Sequence, residues 1–283
     1  MNLFTTIVTY DTTNLNYLKS FAVPMIKSIL LSNSTNDIDL YVICDSFTKN
    51  YIQDKLKEDS KIKSKVHIKY VDNTPFEEKA ADIYVDMWTS SIYYKLFIPY
   101  FFPKLDKCLF LDIDLLVTSD LKSLYDIDMS ELYFYSFTDI VFDLERNRRL
   151  LNAGVLLMNL KKFRETFKTI QDVIDGLEKI GHSTETMLLM SLEEKVVSSD
   201  IFWNYPGLLN RCLSSKNMSD ELRKILCQSA KMAKIFHLYL KDQLYIINRE
   251  LLDIMFENND FLSKYKKELI DIFDYSYDGM IYD

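Results

Sequence analysis

CLFLDIDLLV, residues 108–117, sets four apolar residues ahead of two aspartates, Asp112 and Asp114. A short apolar run bounded by polar residues reads as a strand covered on both faces. Read as one strand over residues 108–114, it directs positions 112 and 114 to the same face, because side chains in a strand alternate. The carboxylates then emerge together where a buried parallel strand ends, the edge at which open α/β sheets bind ligands. Two carboxylates held together repel unless a cation joins them. Hard divalent cations take oxygen ligands, so Mg2+ or Mn2+ is the natural occupant. The three-residue pattern also occurs as solvated loop carboxylates, and its place after a buried strand favours the ligand reading.

Upstream of this run, strands and helices alternate. Residues 5–10 (TTIVTY), 40–45 (LYVICD) and 66–71 (VHIKYV) read as strands. Helical spacing marks residues 17–32, 51–60 and 91–101. The alternation predicts βαβ units and a largely parallel sheet. Downstream, residues 133–138, 154–160 and 235–239 read as further strands. Residues 161–180 read as one helix, 184–192 as the start of another, and residues from 249 onward as one or two amphipathic helices. No linker rich in Pro, Gly or Ser divides the chain. The expected organisation is one α/β domain over residues 1–245 and a helical C-terminal extension over 246–283.

Composition narrows the chemistry. The 283 residues are 48% hydrophobic and 27% charged, an ordinary globular balance that excludes disorder as the main state. The net charge of −8 argues against a nucleic-acid partner, which would call for the opposite sign. Only five glycines occur, the first at Gly154, and no Gly-x-Gly is present. A Walker A loop and a dinucleotide fingerprint are thereby excluded, so phosphates would have to be held by a metal and side chains. The four cysteines, Cys44, Cys108, Cys212 and Cys227, show no C-x-x-C spacing and read as reduced buried thiols in a cytoplasmic chain. No apolar run approaches the roughly 20 residues that span a bilayer, and residues 1–11 carry no basic export signal.

Two chemistries use a strand-end Asp-x-Asp pair: phosphatases of the haloacid-dehalogenase type and metal-dependent glycosyl transfer. The phosphatase motif follows the first strand of its domain and carries a glycine after the second aspartate. Here three strands precede it and that position is Leu115.

Several motifs follow in one order: IVTYD (residues 7–11), FAVPMIKSIL (21–30), SIYYKLFIPYFFP (91–103), LDKCLFLDIDLLV (105–117), NAGVLLMNLKKFR (152–164) and IFHLYLKD (235–242). Over about residues 5–245 the chain resembles glycosyltransferase family 8, retaining enzymes that include bacterial lipopolysaccharide galactosyl- and glucosyltransferases and glycogenin. The resemblance implies a GT-A fold, a single Rossmann-like mixed sheet flanked by helices. It implies a Mn2+ (or Mg2+) ion on Asp112, Asp114 and His237. It implies a UDP-sugar donor and a glycan, glycolipid or glycoprotein acceptor in bacterial surface-glycan synthesis.

The same resemblance assigns a donor site. Thr9, Tyr10 and Asp11 match the edge that holds uracil and ribose. The position of the base-stacking tyrosine is Asn14, with Tyr10 or Tyr17 nearby. Lys95 matches a basic residue, commonly Arg, that contacts the donor. Ile113 lies between the two aspartates. Asn152, Ala153 and Gly154 match the segment beside the donor sugar, and Asp139 an aspartate near sugar and acceptor. A glycine before a strand, in so glycine-poor a chain, suggests close approach of a ligand or another chain; a positive φ is the alternative.

Two departures stand out. The family's Asp-Gln-Asp is Thr184, Glu185 and Thr186 here. Glu185 would stand where a carboxylate could stabilise or attack the anomeric carbon, or it is a helix-start Glu favoured by the dipole. After His237, the family's glycine is Leu240 and its diphosphate-binding lysine is Gln243, with Lys241 two residues early. A degenerate member that binds donor without turnover is therefore the alternative to an active hexosyltransferase. The C-terminal extension could pack on the domain, form a dimer interface, or dock peripherally at the inner membrane face where glycolipid acceptors sit.

Overall fold

The computed structural model describes residues 1–7, 18–58, 63–81, 83, 90–138, 151–180, 185–206, 230–238 and 259–265. In chain order these form β1 (Asn2–Ile7), a π-helical turn (Leu18–Ala22) running into α1 (Val23–Ser32), β2 (Ile38–Cys44), α2 (Ser46–Glu58), β3 (Val66–Asp72) and α3 (Thr74–Ala80). A 3-10 turn (Ser90–Tyr93) leads into α4 (Tyr94–Phe101), followed by β4 (Lys107–Leu111), β5 (Leu115–Val117), α5 (Lys122–Tyr125), β6 (Phe134–Thr138) and β7 (Leu151–Asn159). Then come α6 (Leu160–Thr166), α7 (Ile170–Lys179), α8 (Glu185–Ser191), β8 (Lys195–Ser198), a 3-10 turn (Ile201–Trp203), β9 (Tyr205–Pro206), β10 (Ile235–His237) and α9 (Asp260–Lys264).

Among the described residues the strands make a seven-stranded sheet, ordered β3-β2-β1-β4-β7-β6-β8, and a three-stranded sheet, ordered β5-β10-β9. In the large sheet only β7 runs against its neighbours, so the sheet is mixed but mostly parallel. The second sheet was not anticipated from the sequence. Of its strands, β10 lies within the run expected over residues 235–239, while β5 and β9 have three and two residues, too short for a periodic pattern.

Alternation along the central strands explains the layers. Leu3, Ile7, Leu109, Leu111, Val155 and Leu157 face one buried cluster with Met25, Ile26 and Ile29 of α1. Phe4, Cys108, Phe110, Leu156 and Met158 face the other, with Leu96 and Phe97 of α4, Phe163 of α6 and Leu177 of α7. Helices therefore cover both faces, which is why these strands are almost continuously apolar.

The single helix expected over residues 161–180 is two helices. The first ends at Thr166, with Phe167 N donating to Phe163 O, and Thr169 starts the second: its hydroxyl accepts from Asp172 N at 3.2 Å, while Asp172 Oδ2 accepts from Thr169 N at 2.9 Å. This capping box fixes a new helix start within an unbroken apolar stripe. Arg164 on α6 ties back to the preceding layer by donating to the carbonyls of Pro99 and Leu105, at 3.1 and 3.0 Å. Of the expected C-terminal helices, α9 is described; residues 239–258 and 266–283 lie outside the described residues. No described helix is long and apolar enough to cross a membrane.

Cys44 and Cys108 are free and buried. Burial, reinforced by the neighbouring Asp45, pushes the Cys44 thiol up to about 12. Burial alone pushes Cys108 higher still. Cys212 and Cys227 lie outside the described residues. We expect Cys44 and Cys108 to resist iodoacetamide in the native protein at neutral pH and to label fully in denaturant, since the thiolate is the reacting species. Peptide mass mapping reads this directly; native labelling of Cys108 would contradict its place in the core.

Candidate functional site

The strand expected over residues 108–114 ends at Leu111, and Asp112, Ile113 and Asp114 form a turn between the two sheets. The two aspartates converge for a different reason from strand alternation. Asp112 N donates to Gly154 O at 2.8 Å, which prolongs the β4–β7 ladder by one residue. Asp114 O accepts from Leu238 N at 2.8 Å, which ties it to the end of β10. Each carboxylate is thus anchored to a different sheet, and the turn folds them toward one point. Asp114 is buried and the Asp112 side chain is about one-third exposed.

β10 brings the third group. His237 pairs with Leu115 on β5 and with Pro206 on β9, which fixes its height above the turn. Its Nε2 lies 3.3 Å from Asp114 Oδ1, and its Nδ1 lies 2.9 Å from Asn204 Oδ1. Ligand atoms of Asp112, Asp114 and His237 all lie within 4.8 Å of one another. Two carboxylate oxygens and an imidazole nitrogen suit Mn2+ or Mg2+ as a donor set.

Gly154 is the floor of the cluster. A Cβ there would sit 2.5 Å from His237 Cε1 and 2.9 Å from Asp112 Oδ2. Its φ is outside the left-handed region, so close approach and not backbone conformation demands glycine. The approach comes from side chains of the same chain. Gly154 lies inside β7, which begins earlier than expected, at Leu151. β7 bulges against β6 at this point: Tyr135 pairs with Leu157, but Phe137 pairs with Asn152, so Ser136 alone stands opposite residues 153–156. Bulges are found where a sheet must re-aim its backbone near a site. The buried Ser136 hydroxyl donates to Asn152 O at 2.6 Å and lies 3.0 Å from Val155 O. Asn152 Oδ1 accepts from Gly154 N at 2.8 Å.

Lys95 reaches the cluster from α4. Its side chain is 3% exposed, and its ammonium lies 3.3 Å from Asp112 Oδ1, 3.2 Å from Ala153 O and 4.6 Å from the centre of the Phe110 ring. A buried cation needs such company. The same side chain therefore steadies one carboxylate and the β7 bulge.

The structure brings together Lys95, Asp112, Ile113, Asp114, Asn152, Ala153, Gly154 and His237. Thr9, Tyr10, Asp11, Asn14, Asp139, Thr184 and Lys241 lie outside the described residues. Glu185 is the first residue of α8, and its side chain lies outside them as well. Asn204 and Ser136 escaped the sequence reading. A signal for Asn204 exists: an amide inside the aromatic run FWNY implies a buried partner. Nothing in the sequence marks Ser136, because the bulge is a matter of register.

The family model described as glycosyl transferase family 8 matches residues 9–237. Glycosyltransferase GlyA of Streptococcus pneumoniae serotype 4 is 28% identical over 186 residues, covering 64% of this chain and 25% of its own length. Lipopolysaccharide 1,2-glucosyltransferase of Escherichia coli is 26% identical over 149 residues, covering 49% of this chain and 43% of its own. The chain thus spans less than half the length of either relative. The crystal structure of galactosyltransferase LgtC with donor and acceptor sugar analogues superposes with a TM-score of 0.62 at 15% identity, covering 95% of this chain and all of that one. The mixed sheet with flanking helices is the GT-A fold of that structure.

Gly154→Ala tests the floor of the cluster. The methyl must displace His237 or Asp112, and both are held by their own hydrogen bonds. We expect a loss of about 1–3 kcal/mol in urea unfolding, the usual cost of overpacking. Mn2+ binding should weaken at the same time. An alanine variant with unchanged stability and unchanged Mn2+ affinity would contradict the geometry.

Proposed function

The chain belongs to glycosyltransferase family 8, and from that membership we propose that it transfers a hexose, galactose or glucose, from a UDP-sugar to a glycan, glycolipid or glycoprotein acceptor with retention of anomeric configuration. The observation that carries this reading is the meeting of Asp112, Asp114 and His237 within 4.8 Å beside the buried Lys95. Those three residues would hold Mn2+ or Mg2+. Their fit rests on the donor set and on the glycine floor that leaves the cluster its room. When bound, the cation supplies Lewis-acid neutralisation of a leaving diphosphate.

The chain's own residues do the rest. Among the described residues the two carboxylates outweigh the Lys95 ammonium, so the bare cluster is net negative and would attract a divalent cation. Lys95 holds Asp112 from a water-poor site, where a fixed charge acts more strongly than in water. Asn152, Ala153 and Gly154 offer backbone close to the cluster, a position suited to a donor sugar. Thr9, Tyr10, Asp11 and Asn14 follow β1 and are assigned to the uridine. Lys241 follows His237 and is assigned to the diphosphate. Asp139, Thr184 and Glu185 are assigned to the sugar and acceptor side. In a same-face reaction the leaving phosphate oxygen takes the acceptor's proton; Glu185 would instead serve a double displacement.

The E. coli relative is named for lipopolysaccharide glucosylation, which supports surface-glycan synthesis as the setting. A panel of UDP-sugars, with and without Mn2+, tests the proposal on the parent chain and Asp114→Ala. We expect metal-dependent binding of one sugar, UDP release that accelerates with acceptor, and a loss of about 100-fold or more in the variant, the scale of removing a principal electrostatic group. Binding without UDP release under any acceptor would leave a donor-binding protein and overturn the catalytic assignment. No binding of any UDP-sugar with metal present would overturn the donor class.

A further inference from the structure

We propose that Asn204 is a positioning residue for the metal-binding cluster, setting which nitrogen of His237 faces the cation; the inference rests on the metal role assigned to His237 above. Asn204 lies between the 3-10 turn Ile201–Trp203 and β9, whose partner strand β10 carries His237. It is 2% exposed and His237 is 4% exposed. The amide Oδ1 lies 2.9 Å from Nδ1 of the ring. An amide oxygen only accepts, so Nδ1 carries a proton and donates it there. Nε2, 3.3 Å from Asp114 Oδ1, is then the nitrogen that offers its lone pair beside the carboxylates. A histidine ligand whose second nitrogen donates to a fixed oxygen keeps its ring orientation and gains basicity.

Packing alone does not account for an amide at this position. Asn204 Nδ2 has no hydrogen-bond partner among the described residues. A buried, unpartnered NH2 weakens a fold, and leucine, which has the same branched outline but more volume, would remove that burden. The side chain's oxygen, by contrast, is spent on the imidazole. Leucine should therefore separate the two roles: the fold keeps or gains stability while the cluster loses its aim.

The test is Mn2+ titration of the full chain, with and without UDP, with free Mn2+ read by electron paramagnetic resonance. It compares the parent, Asn204→Leu and Asn204→Asp, and each metal-free melting temperature is recorded. We expect the leucine variant to melt no lower than the parent and to bind Mn2+ about 10–100-fold more weakly, the usual effect of losing an outer-shell partner. We expect the aspartate variant, which keeps an oxygen facing Nδ1, to bind close to the parent. Should the leucine variant fail to fold, Asn204→Ala carries the same comparison. Parent-like affinity in the apolar variant, or an aspartate variant as weak as leucine, overturns the proposal while leaving the metal site standing. No Mn2+ binding by the parent in either condition overturns the metal reading and this inference together.

Discussion

The Asp112 carboxylate and the His237 imidazole close over the backbone of Gly154 with no room for a methyl group, and Asp114 meets them within 4.8 Å. That separation constrains much of the structure around it. β7 must bulge to bring Gly154 forward, and Ser136 must sit opposite the bulge to take up its carbonyls. β4 must stop at Leu111 so that Asp112 can turn over the glycine, and β5 must leave for a second sheet so that Asp114 can meet β10. The small sheet lies where His237 on β10 is brought down beside Asp112 and Asp114.

The parts of the fold legible in the sequence were those with a long period. The βαβ alternation over the first 115 residues, the buried strand at CLFL and the strand within NAGVLLMN are runs of at least four residues with one face or both faces buried. The strand at Ile235–His237 is legible, inside the run read over residues 235–239, but the second sheet it belongs to is not, because its neighbours Leu115–Val117 and Tyr205–Pro206 are too short to show any pattern. The apolar stripe continues across the helix break at Thr169 and hides it, although the T-x-x-D cap marks it in the sequence. Asp112 and Asp114 were picked out as partners on a strand geometry they do not have. They are partners because each is hydrogen-bonded to a different sheet. Gly154 was singled out by rarity. What approaches it could be learned only from the assembled chain, since His237 lies 83 positions further along the sequence.

Lys95 shows how the acidic cluster coexists with a core. Its stem runs through apolar surroundings that include Phe110, and its ammonium ends between a carboxylate and a carbonyl. Truncating either partner of such a buried pair is far costlier than the net worth of the pair, because the other charge is left uncompensated. The ion pair is thus better understood as a constraint on where Asp112 points than as a source of stability. Asn204 has the same relation to His237 on the opposite side. Two of the three residues of the cluster, Asp112 and His237, are therefore each met by a buried polar side chain from another element.

The short helix α9 packs on the domain, as one of the readings of the C-terminal extension expects. Leu262 is fully enclosed in the same cluster as Leu3, Ile235 and Phe236. The amide of Asn259, which caps this helix through Leu262 N, also donates to Ala233 O at 3.2 Å, and Thr118 Oγ1 donates to the same oxygen at 2.7 Å. One carbonyl thereby joins the start of β10, the end of β5 and the C-terminal helix. Residues 259–265 form a back wall for the strand that presents His237. A segment excised for grafting into another protein would need to run past residue 265; a cut just after β10 would open the core behind His237.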